Sequence, residues 1–402
     1  MQKPLITALT TLLLASCATT PTPQATQTAR PDSIITIPTT TATSNATLEQ
    51  QYGGTIALRT HTFAIIANPT RQPLTVQGGK QHSIEKNKDL VSIEPDAKSE
   101  NVWSSGRAYA WNDSFSQGLP DNVQSWAQIG LQYAEQNSYN GAGQVIAVID
   151  SGIDTSHPIF ANRLTSPVSW FDFSENDTVP QEEGTLGQGA YGHGTFVSGI
   201  VTQIAPQAKI MPIRVLNSDG IGDILDVASA IVWATDNGAT VINLSLGTAN
   251  NSDALTLAIA YANSRKVVIA AAAGNSNKDG LDFPAQQFKD SKFNIAVGSV
   301  SKTDSKSKFS SYGESMGIMA PGENVQSVLP GNHVAILNGT SMSTPVVAAA
   351  LALSLGREEK AEETIKLVLN SADNISNIEG NELFEDKLGY GRINIQKLLG
   401  GN

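Results

Sequence analysis

The sequence predicts an α/β protein: a three-layer α/β/α domain with a mostly parallel central sheet, preceded by a small α+β region. Three observations predict it. Five apolar runs, at 145–149, 210–215, 241–246, 267–273 and 295–300, are short, continuous and rich in Val, Ile and Ala, as strands buried on both faces are. Helical stretches at 195–203, 223–236 and 252–263 lie between these runs, so strand and helix alternate along the chain. Asp223 and Ser252 open two of those helices as N-caps, with side-chain oxygens placed to take the first free N–H groups.

In chain order, the first element is a targeting segment. Residues 1–16 hold one Lys, an apolar run over 5–14 and then small residues, a secretory signal too short to span a bilayer. The only cysteine, Cys17, follows at once and excludes a disulfide within the chain. Leu14-Ala15-Ser16-Cys17 resembles the bacterial lipobox. That resemblance implies that Cys17 is lipidated, becomes the mature N-terminus and anchors the protein to a membrane without spanning it. Ala18 resembles the outer-membrane sorting pattern, so the expected place is the outer membrane of the cell envelope, surface-exposed or released. The stretch 17–47 then reads as the lipidated Cys and a tether, because it is rich in Thr, Pro, Ala and Gln and nearly uncharged.

Residues 48–118 carry short β-like runs at 62–67 and 90–94, separated by Asn-Pro, Gln-Pro and Gly-Gly breakers, and form the expected small α+β unit. Residues 119–402 carry the alternating pattern of the main domain. With 402 residues and 40% hydrophobic composition the chain has material for a large core. Its 26 Lys and Arg against 37 Asp and Glu give a net charge of −11 without a basic cluster, which argues against nucleic acid as a partner.

Three segments carry candidate chemistry. Asn338-Gly339-Thr340-Ser341-Met342-Ser343-Thr344-Pro345 is a turn opening into a small, apolar helix, with Pro345 in the first turn where no N–H is required. Ser341 thus sits at a helix N-terminus, where exposed N–H groups favour negative charge. Asp150 closes the strand at 145–149, at the end where parallel folds gather their sites. His193 stands between Gly192 and Gly194 at the start of a helix. Each has a structural reading when taken alone: a capped core helix, a turn-initiating Asp, a structural His. His157, beside Pro158, is the nearest competitor of His193.

Together, Asp150, His193 and Ser341 in that order resemble the subtilisin-like serine proteases, peptidase family S8. VIAVIDSGID, GHGTFVSGI, AKIMPIRVL, INLSLG, AAAGN, IMAPG and NGTSMSTPVVAAALAL carry the resemblance across 119–402. It implies a serine endopeptidase with protein or peptide substrates, in which Ser341 attacks, His193 moves the proton and Asp150 orients His193. Asn275 matches the side chain of the oxyanion hole. Gly220-Ile221-Gly222 and Ser245-Leu246-Gly247 match the edges that pair with substrate backbone. Ala273 and Gly274 match the wall of the first pocket, and Asp282 falls at its base. An inward Asp282 implies preference for Lys or Arg before the cleaved bond; an outward one is a solvated loop carboxylate.

The resemblance requires no cofactor. The segment 199–209 is too short for the calcium loop of many relatives, so that metal site is not carried over, and no other calcium site is identifiable. Ser343 and Val346 stand where the family more often has Ala and His. Residues 48–118 are implied to be a prodomain acting as an intramolecular inhibitor, a zymogen arrangement, with 90–96 as its last strand and exit and autocleavage between 96 and 119; a permanent small N-terminal domain is the alternative. Two other functions compete. An α/β-hydrolase esterase needs Ser before Asp before His and a G-x-S-x-G elbow, which this order lacks. A catalytically silent surface binding protein with a protease fold is the second.

Overall fold

The strand Val145–Asp150 shows why the central sheet forms. Ile146 and Val148 enter the core on one face, Ala147 and Ile149 the core on the other, and all four are buried. Such a strand has no face left for water, so helices must cover both sides. The computed structural model describes residues 30–71, 83–87, 89–92, 109–110 and 122–401. Its seven-stranded sheet runs, edge to edge, Ile318–Pro321, Asn294–Val300, Val268–Ala272, Val241–Leu244, Val145–Asp150, Lys209–Arg214, Phe171–Asp172, with every pairing parallel.

Helices His193–Ile204 and Thr340–Leu355 share one core with Ile146, Val148, Val241 and Val268. Helices Ile224–Asp236 and Asp253–Ser264 share the other with Ala147, Ile149, Ile242 and Ile269. Asp223 caps the first of these by accepting the N–H of Asp226 at 2.9 Å, and Ser252 caps the second from Ala254 at 3.1 Å. The chain leaves Val145–Asp150 to one neighbour, Lys209–Arg214, and later crosses to the other, Val241–Leu244. A crevice therefore opens at the carboxyl end of the Asp150 strand, the switch point where α/β sheets place their sites.

The expected run at 241–246 divides after Leu244, and Leu246–Gly247 leaves the sheet as a separate short strand. A larger difference lies near the N-terminus. The stretch 17–47, expected to be a tether, contains the strand Ser33–Pro38 and the start of the helix Asn45–Tyr52. The Thr-rich composition conceals Ile34-Ile35-Thr36-Ile37, a β-branched run whose members are all buried. This strand belongs to a four-stranded antiparallel sheet with Thr55–Arg59, Phe63–Ala67 and Glu85–Lys86. The small unit therefore begins before residue 48, with the strand Ser33–Pro38.

Its sheet is buried on both sides. Ile35, Ile37, Ala64 and Ile66 meet Leu48 and Tyr52 of its own helix, whereas Ile34, Phe63 and Ile65 join the core of the main domain. Phe63 lies edge-on to Tyr261 at 6.4 Å between ring centroids. Polar residues at the far edge reach two helix N-termini: Asn87 Oδ1 accepts the N–H of Leu225 at 3.1 Å, and Glu85 Oε1 that of Ala254 at 3.3 Å. The signal at 1–16, Cys17, and the exit and cleavage region at 93–108 and 111–121 lie outside the described residues. Among the described residues no helix is long and apolar enough to cross a membrane.

Candidate active site

Asp150, His193 and Ser341 arrive from three elements that converge on the crevice. Asp150 ends its strand fully buried, and its Oδ1 accepts both the N–H of Ser151 at 2.7 Å and His193 Nδ1 at 2.6 Å. A carboxylate only accepts, so Nδ1 carries the ring proton and Nε2 is the basic nitrogen. The approach depends on Gly194. A Cβ there would lie 2.1 Å from Gly152 O and 3.2 Å from Asp150 Cβ, so only glycine lets the helix seat against the strand end.

Ser341 is the second residue of Thr340–Leu355, with Pro345 inside the first turns, and is fully buried in the described chain. Its Oγ donates to Ser245 O at 3.3 Å, and Ser245 Oγ donates back to Ser341 O at 2.9 Å. The helices bearing His193 and Ser341 pack directly against each other. Asn275 is held by its carbonyl: Oδ1 accepts the N–H of Thr340 at 2.9 Å and its hydroxyl at 3.0 Å. That orientation presents the Nδ2 donor to the cleft. A Cβ at Gly339 would lie 3.4 Å from Asn275 Nδ2 and 3.7 Å from Ser341 N, so the two donors border one small space beside Ser341.

The subtilase family pattern matches residues 141–391, a stretch that holds every one of these groups. The chain belongs to the subtilase family. Thermitase of Thermoactinomyces vulgaris is 36% identical over 269 residues, 64% of this chain and 89% of thermitase. A thermophilic serine proteinase of Bacillus sp. strain AK1 is 35% identical over 284 residues, 66% of each chain. The crystal structure of a cold adapted subtilisin-like serine proteinase superposes with a TM-score of 0.54 at 30% identity, covering 63% of this chain and 88% of that one. This subtilase is a serine endopeptidase, with the expected α/β fold.

The edges expected to bind substrate are already paired in the subtilase. The backbone of Asp89–Ser92 lies between Ile221–Asp223 and Leu246–Gly247 as the middle strand of a three-stranded antiparallel sheet. Its register sets Val91 opposite both Ile221 and Gly247, and Ser92 opposite Leu246. Gly220 turns the chain into the first edge at φ 75°.

Asp282 turns toward Ala273 and Gly274. Its N–H donates to Ala273 O at 3.0 Å, and a Cβ at Gly274 would lie 2.3 Å from its Oδ2. The other oxygen is taken by Lys278 Nζ at 2.6 Å. Lys278 escaped the sequence reading, although its position four residues before Asp282 was a usable signal. Glu182 and Ser151, which bond the first turn of the His193 helix, and Thr340, which bonds Asn275, were also missed. His157, the competitor, is buried and accepts the N–H of Ile159 on Nδ1 at 3.3 Å. No group of three or more His, Cys, Asp or Glu side chains gathers as metal ligands among the described residues, and no calcium site is assigned.

Proposed function

We propose that Asp150, His193 and Ser341 form the triad of this endopeptidase and that Asn275 Nδ2 with Ser341 N–H forms its oxyanion hole. The reading rests on the 2.6 Å contact between His193 Nδ1 and Asp150, buried at the strand end beside the Ser341 helix. Ser341 Oγ bonds to the scissile carbonyl carbon while His193 Nε2 takes its proton and the carbonyl electron pair moves to oxygen. The two N–H donors stabilise that oxyanion, which the positive end of the helix also favours. The C–N bond then breaks as His193 returns the proton to the leaving amine, and water releases the acyl group by the reverse proton path. A serine-directed phosphonate is expected to label the mature enzyme and not Ser341→Ala. A mature wild type that resists labelling supports the catalytically silent surface protein instead.

Substrate backbone binds where Asp89–Ser92 lies, and the small N-terminal unit acts as the internal inhibitor of a zymogen. The shared strand edges support this, because one backbone excludes another. Purified enzyme is expected to lose the N-terminal unit while Ser341→Ala keeps it; equal sizes refute self-cleavage. Ala273, Gly274 and Asp282 form the first pocket, with Asp282 favouring Lys or Arg. Cys17 bears the lipid that holds the enzyme at the outer membrane, for which the lipobox-like sequence is the support. Incorporation of labelled palmitate, absent in Cys17→Ala, tests it.

A further inference from the structure

One buried carboxylate beside the triad has no part in the steps above. Glu182, in the loop before the His193 helix, is 5% exposed, and both of its oxygens meet the first turn of that helix. Oε2 accepts the N–H of Gly192 and Oε1 that of Thr195, each at 2.9 Å, and Oε1 also accepts the Thr195 hydroxyl at 3.2 Å. Ser151 Oγ donates to the same carboxylate at 3.3 Å while accepting the N–H of Gly194 at 3.0 Å. The Ser151 N–H donates to Asp150 Oδ1, the oxygen that holds His193. A closed path thus runs from Glu182 through Ser151 and Asp150 to His193 and back along the helix.

A helix is ordinarily capped by Ser, Thr, Asp or Asn at the N-cap position, at little cost in desolvation. Here that position is Gly192, and the cap is a carboxylate ten residues upstream, taken out of water. Burial pushes Glu182 up to about 7, the bonds from Thr195 and Gly192 oppose the rise, Asp150 adds to it and His193 opposes it. Asp154 and Tyr191 are further acids around this turn. Glu183 turns away to Arg214, at 3.1 Å, which also pairs with Asp172. Among these groups, the His193 imidazole is the one that gains positive charge during turnover.

We infer that Glu182 is a positioning residue for the proton relay, fixing the His193 helix against the Asp150 strand and favouring the imidazolium by its charge. The inference rests on the triad reading of His193. Glu182→Gln in the mature enzyme keeps the volume, removes the charge and turns an N–H₂ group against N–H donors. The expected result is a kcat lower by about 10- to 100-fold, the scale of a small misplacement of a catalytic group. KM stays unchanged, and the acid limb of kcat/KM moves to lower pH, because the imidazolium has lost the share of negative charge that Glu182, raised to about 7, carries there. A cap of purely structural value lowers the thermal midpoint and leaves the acid limb in place; that outcome, or an unchanged kcat, overturns the inference. If Glu182→Gln does not fold, Ser151→Ala decides. It cuts the link between Glu182 and Gly194 without burying a new group, and a lower kcat at constant KM supports the inference whereas an unchanged kcat overturns it. Failure of the triad reading is distinct: Ser341→Ala would then keep its activity whatever Glu182 does.

Discussion

With Asp282 in the first pocket, as proposed above, replacing Lys278 with Ala is expected to raise cleavage after Lys and Arg. Lys278 Nζ stands 2.6 Å from Asp282 Oδ1, with side chains 41% and 15% exposed. Opposite unit charges at about 4 Å gain about 4 kcal/mol at an effective dielectric of about 20. Lys278 is more than a third exposed, so solvent screening reduces the pair to about 1 kcal/mol. A substrate ammonium entering the pocket competes with Lys278 for Asp282, and removing the competitor returns that energy to the substrate. The kcat/KM ratio of Lys to Phe peptides is therefore expected to rise roughly fivefold in Lys278→Ala. In Asp282→Ala it falls below wild type, and the double variant matches Asp282→Ala because no carboxylate remains to unmask. The assay is cleavage of four chromogenic peptides that differ only in Lys, Arg, Phe or Leu at that position, repeated at high salt, where the gain shrinks. An unchanged Lys/Phe ratio in Asp282→Ala refutes the reasoning.

Two further outcomes follow from the site. Gly339→Ala puts a Cβ into the space bordered by Asn275 Nδ2 and Ser341 N, so kcat falls toward the about 10²- to 10³-fold known for losing one oxyanion donor in a subtilisin, with KM little changed. Peptide kinetics check this, and an unchanged kcat removes Gly339 from the oxyanion hole. His157 is held below the usual imidazole range by burial, against the opposing pull of Asp154, and its Nδ1 accepts an N–H, which requires the neutral ring. The unfolded chain thus binds more protons than the folded one below about pH 6.5, so the stability linked to His157 is lost as pH falls through that range. Denaturant midpoints of the inhibited enzyme are expected to drop more between neutral and mildly acidic pH in wild type than in His157→Phe; parallel pH slopes refute it.

The central sheet was legible because its strands are apolar on both faces, which leaves a continuous signature such as Val145-Ile146-Ala147-Val148-Ile149. The caps Asp223 and Ser252 were legible because capping is local. The positions of Asp150, His193 and Ser341 came from motifs whose residues carry the geometry themselves, as Gly194 does by admitting the strand end. What the sequence concealed is non-local. Glu182 meets the His193 helix through a loop with no periodic pattern, and no residue near it announces that Gly192 lacks a side-chain cap. Lys278 is the local exception: its i,i+4 spacing to Asp282 was readable, but its consequence required the turn of Asp282 toward Gly274. The strand Ser33–Pro38 was hidden because its neighbours in sequence are Thr and Pro, while the strands and helices that bury it are distant in sequence.

The shared apolar face also decides how the small unit is held. Its sheet has one face closed by its own helix and the other, through Ile34, Phe63 and Ile65, closed only by the main domain. Burying three large apolar side chains contributes about 1.5–3 kcal/mol each, roughly 5–9 kcal/mol together and less if the unfolded chain is compact. A core of this size supplies only about 3–5 kcal/mol by itself. Without the docked face that small net is eroded by the exposure of Ile34, Phe63 and Ile65, and residues 31–92 alone are expected to lack a cooperative unfolding transition. Adding the separate 119–402 domain, carrying Ser341→Ala, should fold them, as amide protection at Ile35 and Ile66 reports. Ile34→Ser should weaken that gain more than Ile37→Ser does, since Ile34 lies in the shared core and Ile37 in the private one. A sharp transition for the isolated segment would mean that its own helix suffices, and that the strand pairing of Asp89–Ser92, rather than the apolar face, holds the unit in place.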